Sequence, residues 1–252
     1  MSRLRIIPSL LLKDKGLVKG VNFNNYRYVG DPINAVRIFN EKEVDELFFF
    51  DITATQENRC ISFSLVEKLA NECFMPFAVG GGINSIEYIS KIIKSGVEKV
   101  SINSYAVENP DFISKAAGIF GSQAIVVSID VKKSDKGTYH IVTQSGKKHL
   151  DINPLNHAIR MEERGAGELI INSIDRDGTQ VGYDIELIKM ITASVNIPVI
   201  AAGGAGKLNH FSELSEEVNA SAATAGSFFV FHGRLGAVLI SYLTNQELMR
   251  FR

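Results

Sequence analysis

Pro76-Phe77-Ala78-Val79-Gly80-Gly81-Gly82 is answered later in the chain by Pro198-Val199-Ile200-Ala201-Ala202-Gly203-Gly204. Each block is a proline, a short apolar run and a glycine cluster. Such a run, bounded by turn residues, reads as a strand buried on both faces. The correspondence extends outward on both sides. Upstream, Glu46-Leu47-Phe48-Phe49-Phe50 is matched by Glu168-Leu169-Ile170-Ile171-Asn172. Downstream, Val100-Ser101-Ile102-Asn103-Ser104 is matched by Ala222-Ala223-Thr224-Ala225-Gly226. The first run of the chain, Arg5-Ile6-Ile7-Pro8-Ser9-Leu10-Leu11, reads like a copy of the run that ends in Ser128-Ile129-Asp130.

Apolar runs at 6–12, 47–50, 77–79, 100–102, 124–129, 169–171, 199–202 and 222–225 alternate with amphipathic stretches. Repeated βα units in two matched halves predict an α/β fold, a (β/α)8 barrel of two similar half-barrels over residues 1–252. A doubly wound open sheet would also alternate strands and helices, but it leaves the twofold repeat unexplained. Asp31-Pro32 and Asn109-Pro110 read as helix starts, a capping side chain before a ring preset to helical φ. A helix is expected over 156–164, stopped by Gly165 and Gly167. The glycine- and asparagine-rich 13–30 stretch reads as one long loop, placed after the first strand where a mobile lid would sit.

The formal net charge of −1 gives no reason to expect nucleic acid or anionic membrane as partner. The first apolar run stops at Lys13, too short for a membrane span, and no signal peptide is expected. Cys60 and Cys73 have no ligand spacing or paired framework, which favours a reducing cytoplasm. His140, His149, His157, His210 and His232 show no ligand spacing either, so no metal or cofactor is expected. Phe228, Phe229 and Phe231 read as core.

The chemistry-bearing residues fall at strand ends. Gly82 and Gly204 close the third and seventh strands, with Asn103 and Ser104 after the fourth and Ser227 after the eighth. Glycines there let backbone N–H groups approach an oxyanion, and two equivalent sites across a barrel mouth fit a ligand with a phosphate at each end. Asp51, Asp130, Asp175 and Asp177 stand at the same edge, where a carboxylate can act as acid or base. Asp177-Gly178 is equally a turn. Asp130, inside an apolar run, is costly to bury without a role. Arg5, Glu46, Lys99 and Glu168 open strands one, two, four and six and so ring the opposite face.

Taken together, Arg5-Ile6-Ile7-Pro8, Val18-Lys19-Gly20, Asp51-Ile52-Thr53-Ala54, Val79-Gly80-Gly81-Gly82-Ile83, Lys99-Val100-Ser101-Ile102-Asn103, Ala106-Val107-Glu108-Asn109-Pro110, Ile174-Asp175-Arg176-Asp177-Gly178-Thr179 and Gly203-Gly204-Ala205-Gly206-Lys207 resemble the cyclase subunit of imidazole glycerol phosphate synthase, over nearly the whole chain. The resemblance implies a barrel paired with a glutaminase subunit, with ammonia passing up its centre to a bisphosphate substrate. It implies one phosphate site at Gly82, Asn103 and Ser104, and another at Asp177, Gly178, Gly204 and Ser227. It implies a loop lysine at Lys19, a charged ammonia gate at Arg5, Glu46, Lys99 and Glu168, and a catalytic aspartate at Asp130.

Four departures stand out. Leu11 occupies the position of the second essential aspartate, Ser9 that of a usual cysteine, and Ser104 and Asn172 those of usual threonines. Leucine cannot move a proton, and loss of one acid–base group typically costs about 10²–10⁴ in rate. Ordinary cyclisation is therefore not expected, and the paralogues that serve surface-polysaccharide amidination are the nearer analogy. Two alternatives remain. One is an active cyclase with a displaced carboxylate at Asp14 or Asp51; the other is a non-catalytic scaffold that activates the glutaminase.

Overall fold

The computed structural model describes residues 4–233 and 235–251. Eight strands form the barrel: β1 (Arg5–Lys13), β2 (Leu47–Asp51), β3 (Phe77–Gly80), β4 (Lys99–Ile102), β5 (Ile125–Lys133), β6 (Glu168–Ser173), β7 (Val199–Ala202) and β8 (Ala222–Ala225). Each pairs in parallel with the next, and β8 pairs with β1 to close the cylinder. Every apolar run read from the sequence lies within or overlaps one of these strands. Closure leaves no edge exposed, which is why the runs are apolar on both faces.

Side chains alternate along each strand. Ile7, Phe48, Ala78, Val126, Ile170, Ile200 and Ala222 point inward and plug the barrel. Phe49, Val79, Val127 and Ile171 point outward and join the layer beneath the helices. Burying one such large side chain is worth about 1.5–3 kcal/mol. Phe229 is buried and Phe228 packs on it edge-on, as expected of core residues, while Phe231 is half-covered by the Arg27 guanidinium.

The helices start where their caps dictate. Asp31 accepts from the backbone N–H groups of Ile33 and Asn34, opening the helix Pro32–Glu41. The helix expected over 156–164 spans Pro154–Glu163 instead, because Asn153 caps it and Pro154 occupies its first turn. Asn109-Pro110 works differently from expectation: Pro110 itself adopts helical angles, and the Asn109 side chain turns to Tyr105. After β8 the outer layer thins to the short helix Ser227–Val230, a two-stranded hairpin (Phe231–His232 with Ala237–Val238) and the capped turn Asn245–Leu248.

The 13–30 stretch is not an open loop. Gly16–Val21 pairs antiparallel with the end of β1 and with Asn24–Gly30, making a hairpin flap. Leu17, Val18 and Val29 are buried in it. Its tip, Asn22-Phe23, has positive φ at both residues, the turn geometry that matches strand twist. β5 likewise runs past Asp130 to Lys133 and folds back on Tyr139–Thr143. The first strand of each half-barrel thus continues into a hairpin over the mouth. No helix among the described residues is long and apolar enough to cross a membrane.

Candidate functional site

A cavity of about 320 Å³ opens at the carboxyl ends of the strands, beneath the two hairpins. Gly82, Asn103 and Ser104 line one side of it. Ser104 is tied down there: its hydroxyl accepts from the backbone N–H of Gln144 on the second hairpin, at 3.0 Å. Asp177, Gly178, Gly204 and Ser227 line the other side. The flap docks against that side. The Asn22 N–H donates to the Asp177 carbonyl at 2.9 Å, and a Cβ on Gly178, at φ +73, would collide with the Gly20 carbonyl.

Lys19 rides on the flap and turns inward. Its ammonium donates to the Ser9 carbonyl at 2.5 Å and lies against Gly226, where any side chain would displace it. Burial pushes this lysine down to about 8, with the charge of Asp177 acting the other way. Asp177 is pushed up to about 6 by its own burial, against the pull of Lys19.

Asp130 is the most enclosed acid of the mouth, 8% exposed. Asn172 Nδ2 donates to its Oδ1 at 3.0 Å, and Asn103 Nδ2 donates to its Oδ2 at 2.8 Å. Both amides favour the carboxylate, yet burial outweighs them and raises Asp130 to about 6. A group poised there exchanges protons readily near neutral pH.

Leu11 lines the same cavity, beside Phe50, its cross-strand partner on β2. On β1 and β2 the cavity meets Leu11 and Phe50, with Asp51 at the strand end, while β5 and β6 present Asp130 and the Asn172 amide. Neither displaced carboxylate replaces the missing acid. Asp14 is exposed in the turn that leads into the flap and does not line the cavity. Asp51 does line it, but its oxygens are taken by Arg59, at 2.5 Å, and by the backbone of Thr53 and Ala54. Asp175 lies apart from the cavity and accepts from the Lys133 N–H.

At the floor, Arg5 donates to Glu46 at 2.8 Å and to Glu168 at 2.7 Å. Lys99 donates to the same two carboxylates, at 2.7 and 3.0 Å. Arg5, Lys99 and Glu168, which open β1, β4 and β6, and Glu46, just before β2, therefore close a ring of alternating charge beneath the apolar plug. Burial raises Glu46 above the usual carboxylate range, with Lys99 and Arg5 opposing.

Sequence reasoning missed Arg59, which fixes Asp51, and Tyr26, which projects from the flap into the cavity. Arg59 follows no pattern that spacing could expose. Tyr26 becomes legible only once 16–30 is read as a hairpin. Among the described residues, no three His, Cys, Asp or Glu side chains gather as a metal site.

A closed (β/α)8 barrel with buried acids and glycine-lined sites at its carboxyl mouth belongs to the class that does its chemistry on the βα loops. Residues 5–235 match the family described as histidine biosynthesis protein, and the chain belongs to that family. It is 50% identical over 242 residues, 96% of each chain, to the "Putative imidazole glycerol phosphate synthase subunit hisF2" of Pseudomonas aeruginosa. It is 48% identical over 243 residues, again 96% of each, to the "Putative imidazole glycerol phosphate synthase subunit HisF" of Leptospira borgpetersenii. With the imidazole glycerol phosphate synthase subunit HisF of Caulobacter vibrioides it shares 44% over 232 residues, 92% of this chain and 89% of the relative.

Proposed function

We propose that this barrel is the synthase subunit of a glutamine amidotransferase complex, receiving ammonia from a glutaminase and passing it to a phosphorylated acceptor at the mouth. The observation that carries this reading is the floor ring. Arg5, Glu46, Lys99 and Glu168 surround the foot of an apolar interior whose other end opens under Asp130. A neutral amine crosses apolar surroundings at far smaller cost than its protonated form. The ring would gate entry, and the plug would select the uncharged species.

At the mouth, Gly82, Asn103 and Ser104 would take one phosphate. Lys19, Asp177, Gly178, Gly204 and Ser227 would take the other, with Asp51 and Asn172 framing the ligand between them. Asp130 would accept a proton from the attacking nitrogen. With Leu11 on the facing wall the site lacks the paired carboxylates that ordinary cyclisation uses. The reading therefore favours nitrogen transfer of the kind used in amidination of a surface-polysaccharide sugar. Relatives bearing the imidazole glycerol phosphate synthase name support a second reading, cyclase activity in histidine biosynthesis.

The purified chain is mixed with glutaminase subunits from the same organism, and glutamine hydrolysis is followed. Stimulation of at least tenfold is expected; none would sink the proposal. Turnover of the family's bisphosphate with ammonium salt then separates the readings, because only a cyclase converts it to imidazole glycerol phosphate.

A further inference from the structure

Tyr26 lies in the middle of the flap strand Asn24–Gly30 and lines the cavity together with Leu11, Asp130, Asp177 and Lys19. Its place is fixed by the strand opposite. A Cβ on Gly20 would stand 2.8 Å from the Tyr26 ring, so the ring rests on bare backbone. The Lys13 ammonium, 5.4 Å from the ring centroid, holds it as well. Its hydroxyl has no hydrogen-bond partner among the described residues. Burial, and then the charges of Asp177 and Asp130, push this phenol up to about 12. It is a neutral O–H at any working pH, in the field of Asp177 and Asp130.

Two other donors of the cavity are engaged, and Asp177, held at about 6, lies on the side of the mouth away from Leu11. Lys19 is bonded to the Ser9 carbonyl, and Arg59 is bonded to Asp51 and Glu57. Leu11 supplies nothing. We propose that Tyr26 is the proton donor of this site, delivered by the flap in place of the carboxyl group that Leu11 does not provide. The assignment rests on the second reading above, in which the family's bisphosphate is turned over, and names the group that stands in for the missing half of its acid–base pair.

The step balances with two groups. The lone pair of ammonia forms a C–N bond to a carbonyl carbon of the phosphorylated acceptor, and the C=O π pair moves to oxygen. That oxygen takes the Tyr26 proton while Asp130 takes one from the new ammonium nitrogen. Asp130 then returns its proton to the hydroxyl, which leaves as water. The second N–H proton passes to the Tyr26 phenolate as the C=N bond forms. Ammonia and a carbonyl become an imine and water, and both side chains end as they began. General acid catalysis of this kind contributes about 10²–10⁴ in rate.

The full chain, its Tyr26→Phe and Leu11→Asp variants and the double variant Leu11→Asp/Tyr26→Phe are compared with ammonium chloride and the family's bisphosphate. Binding is followed by calorimetry and turnover by absorbance. Tyr26→Phe should bind the bisphosphate within about twofold of the parent and lose about 10²-fold or more in kcat. The double variant should regain at least tenfold over Tyr26→Phe while Leu11→Asp alone gains less than threefold over the parent, a non-additivity that a merely structural role of the ring would not give. Tyr28→Phe, on an exposed residue of the same strand, should match the parent. A kcat for Tyr26→Phe within threefold of the parent overturns the assignment, as does failure of the rescue. A parent that stimulates the glutaminase and binds bisphosphate but never turns it over also overturns it, and leaves ammonia delivery standing. A parent that turns over without stimulating any glutaminase sinks the delivery reading and keeps Tyr26 as donor if the variant fails.

Discussion

Asn172 donates from Nδ2 to Asp130 Oδ1 at 3.0 Å, while its own Oδ1 is buried without a partner. A carboxamide in that position serves two protonation states. It donates to the carboxylate as placed, and turned over it accepts from the carboxylic acid. A threonine hydroxyl could do the same by rotation, but with a shorter reach. The side chain at this strand end therefore acts on Asp130 as well as on the cavity it lines.

Removing the amide should be visible as a titration. In Asn172→Ala only Asn103 still favours the Asp130 carboxylate, so burial is less opposed and the proton is held more tightly. A hydrogen bond to a charged group is worth about 1.5–3 kcal/mol, which moves the acid limb of the pH–rate profile upward by about one unit or more. A profile unchanged in position, with only its height reduced, would argue against the cradle.

Asp130 should also cost stability. Its folded value is about 6, against 3.8 for the free group. Between these values the folded chain keeps a proton that the unfolded chain has released. Stability contributed here is present below about pH 4, falls as pH rises to about 6, and stays lost above. Asp130→Asn abolishes this term, and the Asn172 amide can turn to accept from the new N–H. Denaturant unfolding should show the variant more stable by about 1–3 kcal/mol at pH 8 and no more stable at pH 4, with nitrogen transfer abolished.

Lys19 should take up a proton when anion binds. Burial holds it at about 8, so at pH 8.5 much of it is neutral. A phosphate beside Gly226 restores the charged form. Calorimetry of bisphosphate binding at pH 8.5, in buffers of different ionisation enthalpy, should report net uptake of part of a proton. Lys19→Met should abolish the uptake and weaken binding; unchanged uptake in that variant would place the titrating group elsewhere.

The floor ring should resist partial removal. Lys99→Met leaves Glu46 and Glu168 facing Arg5 alone. Stranding a largely buried carboxylate typically costs about 3–5 kcal/mol, and these two retain one partner. A loss of about 2–4 kcal/mol is expected at pH 8. It should shrink at pH 5, where Glu46, already raised by burial, can take a proton instead. Equal losses at both pH values would mean that packing, not charge, holds the ring.

The barrel was legible because its strands are buried on both faces. An uninterrupted apolar run such as Leu47-Phe48-Phe49-Phe50 has few other places to go. The flap was not, because its turn residues Asn22 and Phe23 lack the glycine that usually marks such a hairpin, and Gly16, Gly20 and Gly30 mimic a loop. Strand-end residues such as Gly82, Asp130 and Gly204 could be placed from the repeat alone. The amide cradle and the Arg59–Asp51 pair could not. Each joins residues whose separation in the chain carries no period, and only closure of the cylinder brings them together.

β1 begins at Arg5 in the floor ring and ends at the flap that carries Lys19 and Tyr26. At about 3.3 Å per residue its nine residues span roughly 30 Å, from the floor ring to the flap. It is gripped by β8 along its lower half and by β2 along its upper half. A rod clamped in that way cannot slip by one residue without reversing every side chain it carries. A protein seated underneath and a molecule held on top would therefore press on the two ends of one continuous strand.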